Sequence, residues 1–225
     1  MLPCWREESV KNWIETDIAV DNALKPDIVR YLLDTPQNEG TQMYVEGAVG
    51  VWQFEASRVF NQDWINSASN QLGVEINSAL IFARKAKYQH AGAHIDVNPD
   101  GDILHPVSHS YNWVLEPDNN PMVWYKPWWD PEDIEQCKLA VQGKIPFPGY
   151  EAEAQSSGSL VYQETPCELL ERDGEHCLRH DVVTVCRTNI PHSVDMISDN
   201  NRWCITARNL GEEQPVWSEV VNRFT

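Results

Sequence analysis

Apolar residues recur at helical spacing in the first third of the chain. They follow this spacing through Val10–Leu24, and Pro26 stands where a proline is tolerated, at the start of a second helix. A further helix is expected over residues 61–72, because Gly73 suits the left-handed residue that ends many helices. The pattern therefore predicts a mainly helical N-terminal part over residues 1–74.

After residue 74 the pattern changes to short apolar runs separated by Pro, Gly, Asn and Asp. The runs predicted to be strands are Asn77–Arg84, Tyr88–Ile95, Ser110–Leu115, Met122–Tyr125, Ser159–Gln163, Val182–Arg187, Ser193–Met196 and Trp203–Arg208. They follow the helices rather than alternating with them, which favours a β-sandwich or barrel over a doubly wound fold. This core, over residues 75–210, contains a long insertion near 127–157, where Pro131–Val141 is expected to form a short helix.

Length and charge limit the range of functions. The chain has 225 residues, which suits a single domain over 1–225. Lys and Arg total 17 against 34 Asp and Glu, so the net charge of −17 argues against nucleic acid and anionic membranes as partners. No run approaches the roughly 20 apolar residues of a membrane helix, and the charged start does not resemble a secretory signal. Six cysteines without a CxxC pair fit a reduced, cytoplasmic protein.

His94-Ile95-Asp96 is the sharpest chemical signal. Residues two apart on a strand point to the same face, so this imidazole and this carboxylate can bind one metal ion. A third ligand must come from elsewhere, and His192, which follows Pro191, fits best. Two histidines and one carboxylate form the facial triad of non-haem Fe(II) oxygenases, which leaves positions open for a co-substrate and O₂. We therefore predict that these three residues are the metal ligands and the catalytic residues.

Arg202 lies ten residues after His192 and can form a bidentate pair with a carboxylate of a co-substrate. Alternation along the last predicted strand separates two sets of residues. One face carries Arg202, Cys204, Thr206 and Arg208, and the other carries Trp203, Ile205 and Ala207. The second face is apolar, so the first is expected to line a polar cavity.

The His-x-Asp pair, the distal His192 and the following Arg202 together resemble the Fe(II)/2-oxoglutarate-dependent dioxygenases. The matching segments, Tyr88–Tyr125 and Val182–Arg208, cover less than a third of the chain. The fold of this family is a double-stranded β-helix, a cupin-like jelly roll that is usually preceded by helices. The resemblance thus implies a mainly β (α+β) protein, with N-terminal helices packed on a double-stranded β-helix over 75–210.

The same resemblance implies roles for individual residues. The three predicted metal ligands would bind Fe(II), and Arg202 would bind the far carboxylate of 2-oxoglutarate. In many members a Tyr or an Asn on a neighbouring strand completes this co-substrate pocket, and Tyr88 and Asn112 occupy such positions. The reaction would consume O₂, hydroxylate a C–H bond and release succinate and CO₂.

The substrate is expected to be a small molecule, an amino acid or a peptide residue. Ser110–Val114 and Met122–Tyr125 are similar to segments of small prolyl- or aspartyl/asparaginyl-hydroxylase-like members of the family. Trp113 and Trp124 lie in these segments, and His90 shares a strand face with the first metal-binding histidine. These three residues are therefore expected to contact the substrate.

Two alternatives remain open. The chain can be a jelly-roll protein that binds a metal or another ligand, such as a sugar, without oxygenase activity; Arg202 would then have no co-substrate to hold. It can also be a purely structural jelly roll in which the triad is a coincidence. The sequence gives no oligomeric state.

Overall fold

The computed structural model describes residues 11–28, 41–46, 49–84, 86, 92–100, 103–148, 156–157, 160–161, 165–210 and 215–224. The protein is mainly β, with a large antiparallel sheet and few helices, as the sequence predicts. The helices are α1 (Ala56–Val59), α2 (Gln62–Leu72), α3 (Ile134–Val141) and α4 (Trp217–Phe224), and Cys167–Leu169 forms a 3₁₀ turn.

The strands comprise eight that precede the insertion and eight that follow the first of them in sequence. The first eight are β1 (Trp13–Ala19), β2 (Thr41–Glu46), β3 (Val49–Glu55), β4 (Ser78–Arg84), β5 (Gly92–Ala93), β6 (Val97–Asp100), β7 (Ile103–Pro106) and β8 (His109–Val114). The others are β9 (Met122–Tyr125), β10 (Ser156–Ser157), β11 (Leu160–Val161), β12 (Thr165–Pro166), β13 (Arg172–His176), β14 (Val182–Arg187), β15 (His192–Val194) and β16 (Arg202–Arg208).

Two sheets frame the interior. The large sheet has seven strands in the order β1-β14-β8-β16-β4-β3-β2, and a smaller sheet has the order β13-β9-β15. All pairings within them are antiparallel. The pairs β5–β12, β6–β7 and β10–β11 form two-stranded ribbons.

The helix predicted at the start of the chain is wrong for β1, which pairs with β14 at the edge of the large sheet. Ile14 and Ile18 are four residues apart, a spacing that places them on one face of a strand as well as of a helix. The Thr16 hydroxyl donates to the carbonyl oxygen of Val183 over 2.8 Å, which further ties this segment to β14. Strands β2 and β3 also lie within the part predicted to be mainly helical.

The second predicted helix begins as expected, since residues 26–28 are helical; residues 29–34 lie outside the described residues. The third is confirmed as α2, which ends at Gly73 with φ 68°, a left-handed conformation that glycine adopts without a steric penalty. The helix expected in the insertion is confirmed as α3, where the Asp133 side chain accepts from the backbone N–H groups of Glu135 and Gln136.

Most predicted strands are confirmed to within one or two residues, as β4, β8, β9, β14, β15 and β16. Two are described in part. Only Gly92–Ala93 of the run predicted over 88–95 is a strand, and residues 87–91 lie outside the described residues. Leu160–Val161 is the described part of the run predicted over 159–163.

The largest hydrophobic cluster lies between α2 and one face of the large sheet. Trp64 and Leu72 of α2 pack in the same cluster as Trp113 of β8 and Ile205 of β16. Because side chains alternate along β16, the residues on either side of Ile205 point to the opposite face of the sheet. That opposite face carries the polar residues described next.

Candidate metal centre

The backbone brings the three predicted metal ligands together. His94 lies directly after β5 and His192 begins β15, and their backbones exchange two hydrogen bonds, each 2.9 Å long. The backbone N–H of Asp96 donates to the carbonyl oxygen of Thr188 over 3.0 Å, which fixes the other end of the His-x-Asp segment. The ligand atoms of the three side chains lie within 4.8 Å of one another.

These distances fit the coordination of one ion. Asp96 Oδ1 lies 3.6 Å from His94 Nε2 and 3.4 Å from His192 Nε2. Two ligand atoms about 2.1 Å from a metal and at right angles to each other stand roughly 3 Å apart. The group can therefore bind a metal ion with a small adjustment of side-chain torsions.

A hydrogen bond selects the tautomer of His192. Its Nδ1 lies 2.9 Å from the carbonyl oxygen of Ile190. A carbonyl oxygen can only accept, so Nδ1 carries the proton and Nε2 keeps its lone pair. This lone pair faces Asp96, in the manner of a metal-binding histidine that donates its other ring N–H to a carbonyl.

Arg208 orients the carboxylate of Asp96. Its Nη2 donates to Asp96 Oδ2, while Oδ1 faces the two histidines. Burial raises the pKa of Asp96, but the charge of Arg208 and the hydrogen bond and charge of His192 outweigh it and hold this pKa well below its ordinary value. Asp96 is therefore ionised at neutral pH, as a metal ligand must be.

A small cavity adjoins the triad, between the large and small sheets. Its polar lining is His94, Asp96, His192, Arg84, Arg202, Ser110, Asn112, Thr188 and Thr206. Phe82, Met122, Leu178 and Val194 supply apolar contacts, together with the Cys204 thiol. The prediction that β16 presents one polar and one apolar face is confirmed, since Arg202, Cys204 and Thr206 line this cavity.

Arg202 is 3% exposed and enters the cavity from the start of β16. Its Nε lies 3.1 Å from Asp118 Oδ2, a distance of an ion pair whose angle falls short of a hydrogen bond. Its Nη2 has no hydrogen-bond acceptor among the described residues. A buried donor without an acceptor is costly, so an anionic ligand is the expected partner.

Asn112 also lines the cavity, as predicted. Its Oδ1 accepts from the Thr206 hydroxyl over 2.5 Å, and its Nδ2 donates to Ser110 Oγ over 2.8 Å. Asn112 is thus held between β16 and its own strand, β8, and its orientation is fixed from both sides.

The insertion after β9 packs against the metal-binding segment. Trp129 and Ala140 form a small hydrophobic cluster with Ile95, which lies between the two ligands of the His-x-Asp pair. The buried Arg187 guanidinium donates to Glu132 of the insertion over 2.6 Å and to Asn189 Oδ1 over 3.0 Å. These contacts connect the insertion to both chain segments that carry metal ligands.

The substrate contacts predicted for the two tryptophans are wrong. Trp113 is 1% exposed and packs on Phe60 and Trp64, on the face of the large sheet opposite the cavity. Trp124 is fully buried; its indole N–H donates to the carbonyl oxygen of Arg187 over 2.7 Å, and its ring stacks on Trp13. Both are core residues, and Tyr88 and His90 lie outside the described residues.

Three charged residues of the site were not predicted as functional. The contact of Arg208 with Asp96 follows from the strand alternation that already placed Arg208 on the polar face. Arg84 is opposite Arg202 in the pairing of β4 with β16, and the sequence places it only in a basic cluster at a strand end. Asp118 lies in the segment after β8, where no periodicity predicts its direction.

Comparisons with known proteins provide no family for this chain. No protein-family model matches it, and no curated protein is significantly similar to it. Within the described part of the chain, none of the helices has the length and apolar character needed to cross a membrane.

Proposed function

We propose that the protein is an Fe(II)- and 2-oxoglutarate-dependent dioxygenase that hydroxylates a C–H bond of a small molecule, an amino acid or a peptide residue. The observation that carries this proposal is that the buried Arg202 and the His94–Asp96–His192 group line one cavity. A metal ligand set at one end and a buried cation at the other suit a ligand that chelates the ion and carries a second negative charge.

The residues present fit Fe(II). Two imidazoles and one carboxylate are the facial ligand set of non-haem Fe(II) oxygenases, and neither a thiolate nor a second carboxylate joins them in the described group. When bound, Fe(II) with 2-oxoglutarate and O₂ supplies oxidative chemistry that yields succinate, CO₂ and a hydroxylated product. The protein itself contributes binding, orientation and electrostatics.

Each polar residue of the cavity has a distinct role in this proposal. Arg202 binds the far carboxylate of 2-oxoglutarate, in place of the acceptor that its Nη2 lacks among the described residues. Asn112, fixed by Thr206, donates or accepts a hydrogen bond along the co-substrate chain. Arg208 keeps Asp96 ionised and oriented, and Ile190 does the same for the tautomer of His192.

The sheet order supports a double-stranded β-helix, which we include in the proposal. In the large sheet, β14, β8, β16 and β4 are neighbours, and in the small sheet β13, β9 and β15 are neighbours. From β8 to β16 the chain passes repeatedly between the two sheets. The bridge between His94 and His192 adds the metal-binding segment to the small sheet. Such a crossing pattern is that of a jelly roll.

Anaerobic addition of Fe(II) and 2-oxoglutarate to the metal-free protein tests the proposal. A weak visible charge-transfer band is expected, and Asp96→Ala and His192→Ala should abolish it because each removes a metal ligand. His180→Ala is the matched control, since His180 is exposed and lies outside the cavity. Admission of O₂ should then produce succinate.

Two results would contradict the proposal in different ways. If wild-type protein gives no band and no succinate with O₂, the oxygenase proposal fails. If Fe(II) binds in a His192-dependent manner but 2-oxoglutarate does not, a metal-binding jelly-roll protein without oxygenase activity is the better description. Succinate formation can also be used to screen amino acids, peptides and other small molecules as substrates.

A further inference from the structure

Two arginines face each other at one end of the cavity. Arg84, the last residue of β4, is directly opposite Arg202, the first residue of β16. They are 6% and 3% exposed, and both side chains line the cavity that contains the metal-binding group. The two guanidinium groups therefore converge on one small, largely dehydrated space.

The thiol of Cys204, two residues after Arg202, reports this convergence independently. Burial raises the pKa of Cys204, and the positive charges of Arg202 and of Arg84 both act to lower it. Both guanidinium groups are consequently close to the same cavity-lining side chain. Like charges directly opposite on adjacent strands destabilise a sheet, and an anion between them removes that repulsion.

The binding partner has to supply acceptors as well as charge. Arg202 Nη2 is a buried donor with no acceptor among the described residues, although its Nε is close to Asp118. A guanidinium presents parallel N–H donors that match the two oxygens of a carboxylate. Two guanidinium groups that approach from neighbouring strands can each donate to one carboxylate without competing for the same lone pair.

We propose that Arg84 and Arg202 jointly bind one carboxylate of a dicarboxylate ligand, and that Arg84 makes this site selective for a 2-oxo dicarboxylate over a 2-oxo monocarboxylate. The proposal rests on the proposed function for the identity of the metal-chelating end. The carboxylate subsite itself requires only the two arginines.

The test compares ligands that differ in the far carboxylate. Affinities of Fe(II)-loaded protein for 2-oxoglutarate and for 2-oxopentanoate are measured anaerobically from the charge-transfer band, and glutarate binding to metal-free protein is measured by calorimetry. Arg84→Gln should weaken 2-oxoglutarate binding about tenfold or more and change 2-oxopentanoate binding less than about twofold. Arg84→Lys, which retains the charge but not the fork, should fall between wild type and Arg84→Gln.

Arg179→Gln is the matched control, because it removes the same charge from an exposed arginine paired with Asp181. It should leave all three affinities unchanged. Thermal unfolding of each variant is measured alongside, so that a folding defect in Arg84→Gln is recognised and the comparison passes to Arg84→Lys. Equal weakening of 2-oxoglutarate and 2-oxopentanoate, or unchanged 2-oxoglutarate affinity in both Arg84 variants, would overturn the proposal.

The outcomes also separate this proposal from the oxygenase proposal. Arg84-dependent binding of glutarate or 2-oxoglutarate without succinate formation would support the carboxylate subsite and refute the oxygenase. Succinate formation with no effect of the Arg84 variants on 2-oxoglutarate affinity would do the reverse. Failure of wild-type protein to bind either dicarboxylate, with or without Fe(II), would refute both.

Discussion

Arg208 and Asp96 form a buried ion pair in which the guanidinium contacts the carboxylate oxygen that faces away from the two histidines. The side chains are 5% and 12% exposed, so neither charge is well hydrated. The pair holds Oδ1 of Asp96 toward the position of a metal ion. Arg208 thereby links the last strand of the large sheet to the metal-binding group.

We expect Arg208→Gln to destabilise the metal-free protein by about 3 kcal/mol at pH 7, because removal of one partner leaves the other charge buried. The pKa of Asp96 is lowered in the folded state, so the contribution of the pair is present above the ordinary pKa and is lost as the pH falls from about 4 toward the folded value. Urea unfolding at pH 7 and at pH 3 measures the difference, which should be larger at pH 7. Arg179→Gln, at the exposed pair with Asp181, should cause a much smaller change.

His109 provides a second pH dependence, at a distance from the metal ligands. Its Nδ1 and Nε2 lie 2.7 Å and 2.8 Å from the hydroxyls of Ser108 and Tyr111. Burial, and then the charges of Arg223 and Arg208, lower the pKa of His109 from 6.5 to about 4. The neutral form is favoured in the folded state, so protons bind the unfolded chain first as the pH falls. Stability contributed by His109 is therefore full above about pH 6.5 and decreases toward pH 4.

From this pKa difference we expect wild-type protein to lose about 3 kcal/mol of stability through His109 between pH 7 and pH 4. His109→Gln cannot take up the proton and should show a shallower decline over the same range. Urea unfolding at half-unit pH steps measures both slopes. His180→Gln, at an exposed position, should keep the wild-type slope. Identical slopes in wild type and His109→Gln would contradict the assignment.

The sheet was predictable where alternation along a strand had one solution. Val182–Arg187 and Met122–Tyr125 were predicted with their observed bounds. The first strand was not, because Ile14 and Ile18 satisfy both periods and their pairing with β14 involves residues far away in sequence. Local pattern is a weak guide where tertiary pairing decides the conformation.

The candidate site was predictable where two ligands lie close in sequence. His94 and Asp96 share a short motif, and the structure places His192 beside them. The error on Trp113 has a geometric origin. Asn112 and Trp113 are neighbours on β8 and therefore point to opposite faces, so only one of them can line the cavity. The pairing of Asp118 with Arg202 depends on the path of a loop, which no sequence pattern specifies.

Trp113→Leu should separate stability from function. Trp113 packs on Phe60 and Trp64 in the main core, and truncation of a buried aromatic there should lower the free energy of unfolding by about 3 kcal/mol. Affinity for Mn(II), measured by calorimetry on the folded variant, should stay within about twofold of wild type. Asn112→Ala, one residue earlier, should instead weaken 2-oxoglutarate binding. A large loss of metal affinity in Trp113→Leu would place this residue in the site after all.

The ion pair between Arg187 and Glu132 should stabilise the insertion more than an ordinary surface pair would. Arg187 is 7% exposed, and Glu132 accepts from its guanidinium over 2.6 Å and from the backbone N–H of Ser218 over 3.1 Å. Burial lowers the pKa of Arg187 and the charge of Glu132 raises it, so the carboxylate offsets part of the cost of burying this guanidinium.

Glu132→Gln leaves the buried guanidinium of Arg187 without a carboxylate. Because the Glu132 side chain is itself 37% exposed and partly screened, we expect a loss of only about 1–2 kcal/mol in the free energy of unfolding. Glu171→Gln makes the same chemical change in the exposed pair with Lys126 and should have a much smaller effect. Urea unfolding of both variants at pH 7 measures the contrast. Equal losses would mean that the Arg187–Glu132 contact is no stronger than a surface pair, and that packing of Trp129 and Ala140 on Ile95 alone holds the insertion against the metal-binding segment.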